Sequence, residues 1–226
     1  MDDAPRTLLE AVRRAADLWP DRIAWIFDLR DGPEAGLTLI EALLERGELS
    51  GEMFDTLTTR LAELPVPTVC ALNGSVYGGA TDMVLACDLR VGLQGLEWRM
   101  PATALGLHYY PSGLQRYVSR FGLAATKRAF LTARPFTDRQ LEALGLFEAL
   151  VGLEDWASTQ QALVRDILAL APLAVQETKQ SIREIETGHG DVGRMREREH
   201  RTSQSADFAE GRAAFAQRRT PVFTGR

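Results

Sequence analysis

The hydrophobic positions of the chain follow two periods, and the short apolar runs predict buried strands. The runs IAWIFDL (23–29) and PVPTVCAL (65–72) are apolar at almost every position, which is typical of strands covered on both faces. A third run, LRVGL (89–93), has the same character. Segments with helical spacing separate the three runs, so the pattern predicts parallel pairing and an α/β core.

Helical spacing fills most of the remaining sequence. One helix is predicted to begin near Ala80, where the apolar residues Ala80, Met83, Val84 and Cys87 form one face and leave Thr81 and Asp82 off it. From about residue 114 the chain reads as mostly helical, with breaks near 134–135, 171–172 and 187–190. We therefore predict an α/β core over residues 1–190 and a helical C-terminal segment over residues 191–226.

Composition and charge exclude several classes of protein. The chain has 226 residues, is 45% hydrophobic and 25% charged, and carries a net charge of -5, which gives no basic footprint for nucleic acid. It has no continuous apolar span of membrane length, and its first residues are acidic where a signal peptide needs basic ones. Cys70 and Cys87 lie in apolar runs, which favours buried reduced thiols over a zinc site or a disulfide. A cytoplasmic protein without metal, membrane or nucleic-acid partners is expected.

The stretch NGSVYGGATDM (73–83) joins the end of a predicted strand to the start of a predicted helix through two glycines. The first backbone N–H groups of a helix have no intrahelical acceptor, and glycine lets a ligand oxygen come close to them. Such a turn suits phosphate, carboxylate or the oxyanion of an enolate or tetrahedral intermediate. Alternatively, the glycines only allow tight packing of the helix, with Asp82 as a partner of the helix dipole. The pattern alone leaves both interpretations open.

Four blocks of the chain together resemble the crotonase (enoyl-CoA hydratase/isomerase) superfamily. They are PVPTVCALNGSVYGGATDMVLACDLRVG, MPATALGLHYYPSGLQRYVSRFG, ARPFTDRQLEALGLFEALV and DFAEGRAAFAQRRTPVFTGR. The resemblance implies a ββα spiral core with a helical C-terminal region and an acyl-CoA thioester as substrate. Coenzyme A then enters as part of the substrate, without a permanently bound cofactor, and a homotrimer or dimer of trimers is implied. Family members begin with a β-hairpin that is expected to be missing here.

The resemblance also implies where the thioester binds. Gly79 matches one backbone N–H donor of the family's oxyanion hole, with Gly78 beside it. PEAG matches the loop that supplies the other donor, which makes Ala35 that residue. Arg218 and Arg219, in RRTPVF, match basic residues that hold coenzyme A, and guanidinium groups suit phosphate. The alternative for these two arginines is an ordinary solvated helix end.

The acid-base residues depart from the hydratase pattern. Hydratases of the family use two glutamates, and the matching positions here are Asp82 and Ala102. Because alanine transfers no proton, ordinary two-acid hydration is disfavoured.

The same region is similar to the methylmalonyl-CoA decarboxylase branch of the superfamily. That resemblance places Tyr109 where a tyrosine handles the substrate carboxylate. His108 and Tyr110 flank Tyr109 and are candidates to protonate the enolate carbon. One mismatch is Leu37, where the branch has histidine. Packing of the aromatic cluster at a sheet edge is the alternative role for these residues.

Three functions therefore remain open. The leading one is decarboxylation of a malonyl-type CoA ester through a thioester enolate, with Asp82 or His108 managing a proton. The second is hydration or isomerisation by Asp82 as a single carboxylate. The third is a degenerate family member that binds CoA thioesters, or supports a partner enzyme, without turnover.

Overall fold

The fold is taken from a computed structural model that describes residues 25–28 and 51–226. The loop with Ala35 and Leu37 lies outside the described residues. The predicted loss of the N-terminal hairpin also concerns a part of the chain outside the described residues. The described strands are β1 Trp25–Asp28, β2 Thr68–Leu72, β3 Val76–Tyr77, β4 Leu89–Leu93, β5 Glu97–Arg99, β6 Phe136–Thr137 and β7 Ala149–Val151.

The strands form two sheets. The first has the order β1-β2-β4-β7, and β4 runs parallel to both β2 and β7, with Val69 opposite Leu89 and Leu72 opposite Gly92. The second has the order β3-β5-β6, in which β3 and β5 are parallel and β5 and β6 are antiparallel. The three predicted strands are confirmed as β1, β2 and β4. The other four have two or three residues each, too few to show a period in the sequence.

Helices account for most of the remaining described chain. They are α1 Gly51–Ala62, α2 Gly79–Ala86, α3 Pro111–Thr132, α4 Asp138–Ala143, α5 Trp156–Leu168, α6 Pro172–Glu186, α7 Val192–Ser203 and α8 Ala206–Gln217. The three predicted breaks are confirmed, because they fall between α3 and α4, between α5 and α6, and between α6 and α7. A kink in α3 at Gly122, where φ is 70°, was not predicted.

The described residues fall into two compact units. The first takes in 26–28, 51–64 and 69–161, and the second takes in residue 25, 65–68 and 162–226. No observation tests the predicted boundary at residue 190, which stays a prediction. Among residues 25–28 and 51–226, no helix combines the length and the apolar character that crossing a membrane requires.

The first unit contains a large apolar core in which α2 is central. Its most buried large side chains are those of Trp98, Tyr117, Leu72, Leu85 and Met100. Both cysteines are buried and free, as predicted.

The prediction that α2 keeps Thr81 and Asp82 off its buried face is wrong. Both side chains have an exposed fraction of 0%, and Leu85 and Ala86 are buried as well. Ala80 and Met83, on the predicted apolar face, are only partly buried, so the apolar spacing did not identify the most buried side of the helix.

A buried arginine closes the C-terminal end of α2. The Arg90 guanidinium donates to the carbonyl oxygens of Cys87 at 2.7 Å, Asp88 at 3.0 Å and Val84 at 3.3 Å. It also donates to Leu146 O at 2.8 Å. Burial lowers the pKa of Arg90, and the helix carbonyls stabilise its charge in place of a carboxylate. This cap fixes the far end of the helix that carries the candidate site.

The second unit is held partly by ion pairs between α6 and α7. Arg198 is 7% exposed and donates to Glu184 at 2.5 and 2.9 Å, while its Nε lies 3.4 Å from Glu177. Lys179 donates to Val66 O at 2.8 Å. The carboxylate of Asp207 accepts the backbone N–H groups near the C-terminus of the chain.

Candidate active site

The glycine turn ahead of α2 requires each glycine for a different reason. Gly78 has φ 56° and ψ -133°, a conformation that L side chains rarely adopt, and its N–H donates to Arg99 O at 3.0 Å. A Cβ at Gly79 would lie 3.2 Å from the Phe54 ring of α1, so close helix packing also calls for glycine there. The Gly79 N–H donates to no acceptor among the described residues. The close packing that the second interpretation requires is therefore present, and the role of the turn as an oxyanion site stays a prediction.

Asp82, in the first turn of α2, is committed to an ion pair. Its Oδ1 accepts from Arg116 Nε at 2.8 Å, and its Oδ2 accepts from Arg116 Nη2 at 2.5 Å. Oδ2 also accepts from the Tyr110 hydroxyl at 2.6 Å. With an exposed fraction of 0%, the carboxylate keeps no oxygen open to water.

Further polar contacts extend this ion pair from Arg116 to α1. Arg116 Nη2 donates to Thr58 Oγ1 at 2.7 Å and to Ser112 Oγ at 3.1 Å, and the Ser112 hydroxyl donates to Asp55. Burial lowers the pKa of Arg116, but the hydrogen bonds and charge of Asp82 outweigh burial, so the pKa is raised overall. The guanidinium therefore links α1, α2 and α3 as a permanent cation.

Two stacked tyrosines adjoin the ion pair. The rings of Tyr109 and Tyr110 lie 4.3 Å apart between centroids at an interplanar angle of 28°. The Tyr109 hydroxyl donates to the Tyr110 hydroxyl at 3.2 Å, and Tyr110 donates to Asp82. Burial, and then the charge of Asp82, raise the pKa of both phenols. Both tyrosines are therefore neutral hydrogen-bond donors.

His108, a predicted catalytic residue, and Ala102, which matches the position of a hydratase glutamate, take no part in the hydrogen bonds of this array. His108 is exposed, and among the described residues it makes no hydrogen bond. Ala102 is 4% exposed in the apolar core, so its position offers no acid. The structure thus brings Gly78, Gly79, Asp82 and Tyr109 into one unit and leaves Ala35 outside the described residues.

The two candidate arginines for coenzyme A differ in their surroundings. Arg219 forms a double contact with Glu210, Nη1 to Oε1 at 2.5 Å and Nη2 to Oε2 at 2.7 Å. Arg218 ends α8 with φ 52° and has an exposed side chain. Arg218 therefore stays available for phosphate, whereas Arg219 would have to leave Glu210 first.

The pair of Glu210 and Arg219 gives a first prediction. Hydrogen bonds from Arg219, and then from the Val222 N–H, lower the pKa of Glu210 from 4.5 to about 2. The stabilising contribution of a lowered carboxyl pKa is present above the usual value and is lost as the pH falls through about 2. We expect an NMR titration of the Glu210 carboxyl carbon to give a midpoint near 2, and Arg219→Gln to raise it. Arg218→Gln is the control that should leave it unchanged, and equal midpoints in all three proteins would contradict the assignment.

The sequence and the fold match a known family. The sequence profile of the enoyl-CoA hydratase/isomerase family matches residues 35–226 of the chain. Because this match covers most of the chain, the protein belongs to the enoyl-CoA hydratase/isomerase family. The predicted membership of the crotonase superfamily is confirmed.

Individual relatives agree with the family assignment. The mitochondrial enoyl-CoA hydratase domain-containing protein 2 of Bos taurus is 31% identical, with 96% of this chain and 77% of the relative aligned. Methylmalonyl-CoA decarboxylase of Escherichia coli is 27% identical, with 75% of this chain and 66% of the relative aligned. The crystal structure of an enoyl-CoA hydratase from Bacillus anthracis matches with a TM-score of 0.73 at 25% identity, over 80% of this chain and 71% of that chain. The predicted crotonase-like fold is therefore confirmed.

Sequence reasoning missed Arg116, although it lies within the quoted block LGLHYYPSGLQRY. Its partner Asp82 is 34 residues away in the chain. The chain has 26 basic residues, and nothing in the sequence distinguishes a buried arginine from an exposed one. Its position one turn beyond Ser112, on the helix that follows the tyrosines, was the available signal. The packing of α3 against α2 is what joins the two charges.

Proposed function

We propose that this protein decarboxylates a malonyl-type CoA ester through a thioester enolate. The observation that carries the proposal is the state of Asp82, whose two oxygens are buried and paired with Arg116 and Tyr110. A general acid-base must reach the proton that it transfers. Hydration or isomerisation by Asp82 as a single carboxylate is therefore disfavoured, whereas decarboxylation needs no base to remove a proton from carbon.

Charge that develops on the thioester oxygen is stabilised by backbone N–H groups in this mechanism. Gly79 is the donor at the start of α2, where its N–H has no acceptor among the described residues. The family resemblance supplies Ala35 as the other donor. Two preorganised donors contribute several kcal/mol of transition-state stabilisation in enzymes of this kind, on the order of 3 kcal/mol for one donor.

Tyr109 is the donor that best suits the substrate carboxylate. The bond from Tyr110 to Asp82 is short and assisted by charge, so the Tyr110 proton is committed. The bond from Tyr109 to Tyr110, at 3.2 Å, is long for two hydroxyls and therefore weak. Tyr109 can turn its O–H to a bound carboxylate at little cost. The pairing of Asp82 with Arg116 also reduces repulsion between that carboxylate and the site.

The reaction balances with one proton from solvent. The bond between the α-carbon and the carboxylate carbon breaks, CO₂ leaves, and the electron pair passes into the thioester enolate. The α-carbon then takes a proton as the thioester carbonyl re-forms. His108, exposed beside the tyrosine pair in the sequence, is our candidate to deliver that proton.

We extend the proposal to coenzyme A and to the assembly. Arg218 binds a phosphate of the substrate, and Arg219 joins it after leaving Glu210. A homotrimer or dimer of trimers is supported by two aromatic side chains on α8, since Phe208 is 48% exposed and Phe215 is 87% exposed. A cytoplasmic location and the absence of a permanently bound cofactor or metal stay predictions.

A substrate panel followed in D₂O tests the reaction class. Malonyl-, methylmalonyl-, ethylmalonyl-, crotonyl- and 3-enoyl-CoA are incubated with the protein, and products are identified by mass spectrometry. Loss of CO₂ with one deuterium gained is the expected result. Addition of water, or deuterium exchange alone, would overturn the proposal. Raised thermal stability with CoA esters but no turnover would indicate a binding or accessory protein.

The tyrosine assignment gives a second prediction. Tyr109→Phe should lower the decarboxylation rate at least about tenfold, because the variant lacks the O–H that holds the carboxylate. Affinity for propionyl-CoA, which has no carboxylate, serves as the internal control and should stay the same. An unchanged decarboxylation rate would remove Tyr109 from the mechanism.

A further inference from the structure

Three buried side chains form a chain of hydrogen bonds that ends on the glycine turn. Trp98 Nε1 donates to the Tyr117 hydroxyl at 3.1 Å, Tyr117 donates to Thr81 Oγ1 at 2.6 Å, and Thr81 donates to Gly78 O at 2.6 Å. All three side chains have an exposed fraction of 0%. None of them has a role in the mechanism described above.

Each hydrogen bond in this series can be donated in only one direction. Indole N–H is solely a donor and a carbonyl oxygen is solely an acceptor, so the two hydroxyls between them must each point toward Gly78. Burial raises the pKa of Tyr117, which keeps its phenol protonated. The Thr81 N–H adds a further bond to Gly78 O at 3.1 Å.

The Gly78 carbonyl, which accepts the last of these hydrogen bonds, belongs to the same peptide unit as the Gly79 N–H. The peptide between Gly78 and Gly79 is planar and trans, so its C=O and N–H groups point in nearly opposite directions. Fixing the oxygen of Gly78 therefore fixes the direction of the Gly79 N–H. Hydrogen bonds to the carbonyl also polarise the peptide and strengthen its N–H as a donor.

A purely local role for Thr81 does not account for the whole arrangement. Threonine often bonds back to a carbonyl three or four residues earlier in a helix. Here the Thr81 hydroxyl also accepts a hydrogen bond from Tyr117 on the helix α3, and the Tyr117 hydroxyl accepts one from Trp98 on the strand β5. Elements distant in sequence thus converge on the peptide that follows Gly78. Glycine adopts positive and negative φ about equally, so the residue itself does not fix the φ of 56° at Gly78.

We propose that Thr81 and Tyr117, backed by Trp98, are positioning residues that aim and polarise the Gly79 N–H toward the thioester oxygen. This inference rests on the proposed function in one respect, namely that Gly79 is an oxyanion donor. It does not require the substrate to carry a carboxylate, and it therefore applies to any thioester that enters the site.

Kinetics provide the first test. Thr81→Val keeps the shape of the side chain but removes the hydroxyl, and it should lower kcat about tenfold with little change in KM, since a misdirected oxyanion donor acts on the transition state. Thr81→Ser restores the hydroxyl and should recover most of kcat. The matched control is Thr126→Val in α3, because the Thr126 hydroxyl is buried and makes no hydrogen bond in the described part of the chain. Equal loss of kcat in Thr81→Val and Thr81→Ser would overturn the inference.

A spectroscopic test separates this inference from the proposed reaction. Propionyl-CoA labelled with carbon-13 at the thioester carbonyl is bound to each variant, and its carbonyl stretch is read by infrared difference spectroscopy. In the unaltered protein the stretch should lie below its value in water, in Thr81→Val the shift should shrink, and in Thr81→Ser it should return. A full shift in Thr81→Val would overturn the positioning role. No shift in the unaltered protein would refute Gly79 as a donor and the inference with it. A failed decarboxylation assay beside the expected spectra would refute only the proposed reaction.

Discussion

Replacing Arg116 by methionine is expected to lower the free energy of unfolding by about 3–5 kcal/mol. The substitution leaves the Asp82 carboxylate at an exposed fraction of 0%, with the Tyr110 hydroxyl as the one remaining side-chain donor among the described residues. A buried charge without its partner is among the most destabilising arrangements in a protein. Thr58 and Ser112 lose a donor to their hydroxyl oxygens at the same time. Chemical denaturation, fitted for the midpoint and slope, measures the change.

Two further variants separate the effect of charge from the effect of packing. In the double variant Asp82→Asn with Arg116→Met the buried charge is gone, so most of the lost stability should return. Arg139→Met breaks an exposed pair with Glu142 and should change stability by less than about 1 kcal/mol. If the single and double variants at the buried pair are equally unstable, lost packing and not the unpaired charge explains the result.

The second large effect is expected at Gly113, in the first turn of α3. A Cβ there would lie 2.8 Å from Tyr110 Cε2 and closer still to Tyr109 Cε1, so Gly113→Ala must displace both rings. Overpacking of this kind costs about 1–3 kcal/mol, against a gain of up to about 1 kcal/mol from the better helix former. Because a displacement of about 1 Å can cost on the order of a hundredfold in rate, decarboxylation should fall by about that factor. Steady-state kinetics and thermal unfolding measure the two effects.

Gly211→Ala is the matched control, since Gly211 is also a helical glycine. Its Cβ would meet Phe223 at 3.6 Å, an ordinary contact, so stability should be kept or slightly increased and turnover left unchanged. If Gly113→Ala turns over substrate as fast as the unaltered protein, the position of the Tyr109 hydroxyl does not limit the reaction.

The proposed function gives the tyrosine pair and the ion pair a role that does not depend on the two glutamates that the resemblance implies for hydratases. Tyr109, Tyr110, Asp82 and Arg116 form one continuous polar array in the first unit, and both oxygens of the Asp82 carboxylate accept hydrogen bonds from its members. Such an array is stable only when every member is satisfied. In the proposed function this array holds Tyr109 as a neutral donor for the substrate carboxylate and does not exchange protons through Asp82.

Local patterns in the sequence were sufficient for the framework of the fold. Continuous apolar runs located β1, β2 and β4, because a strand that is buried on both faces has apolar side chains at nearly every position. Proline and glycine located the breaks between α5 and α6 and between α6 and α7, because those residues act on the backbone where they stand. The requirement for glycine at position 78 is of the same kind, since it depends on one φ angle.

The sequence by itself determined the strands β1, β2 and β4, the helix breaks, the glycine turn and the family, all of which depend on the residue itself or on its near neighbours. Only the tertiary structure decided that Asp82 is buried against Arg116 and that Thr81 links Tyr117 to the Gly78 carbonyl. The physical reason is that the burial and charge partners of a polar side chain depend on which elements pack together. In this protein α3 brings both Arg116 and Tyr117 to α2 from more than 30 residues away along the chain.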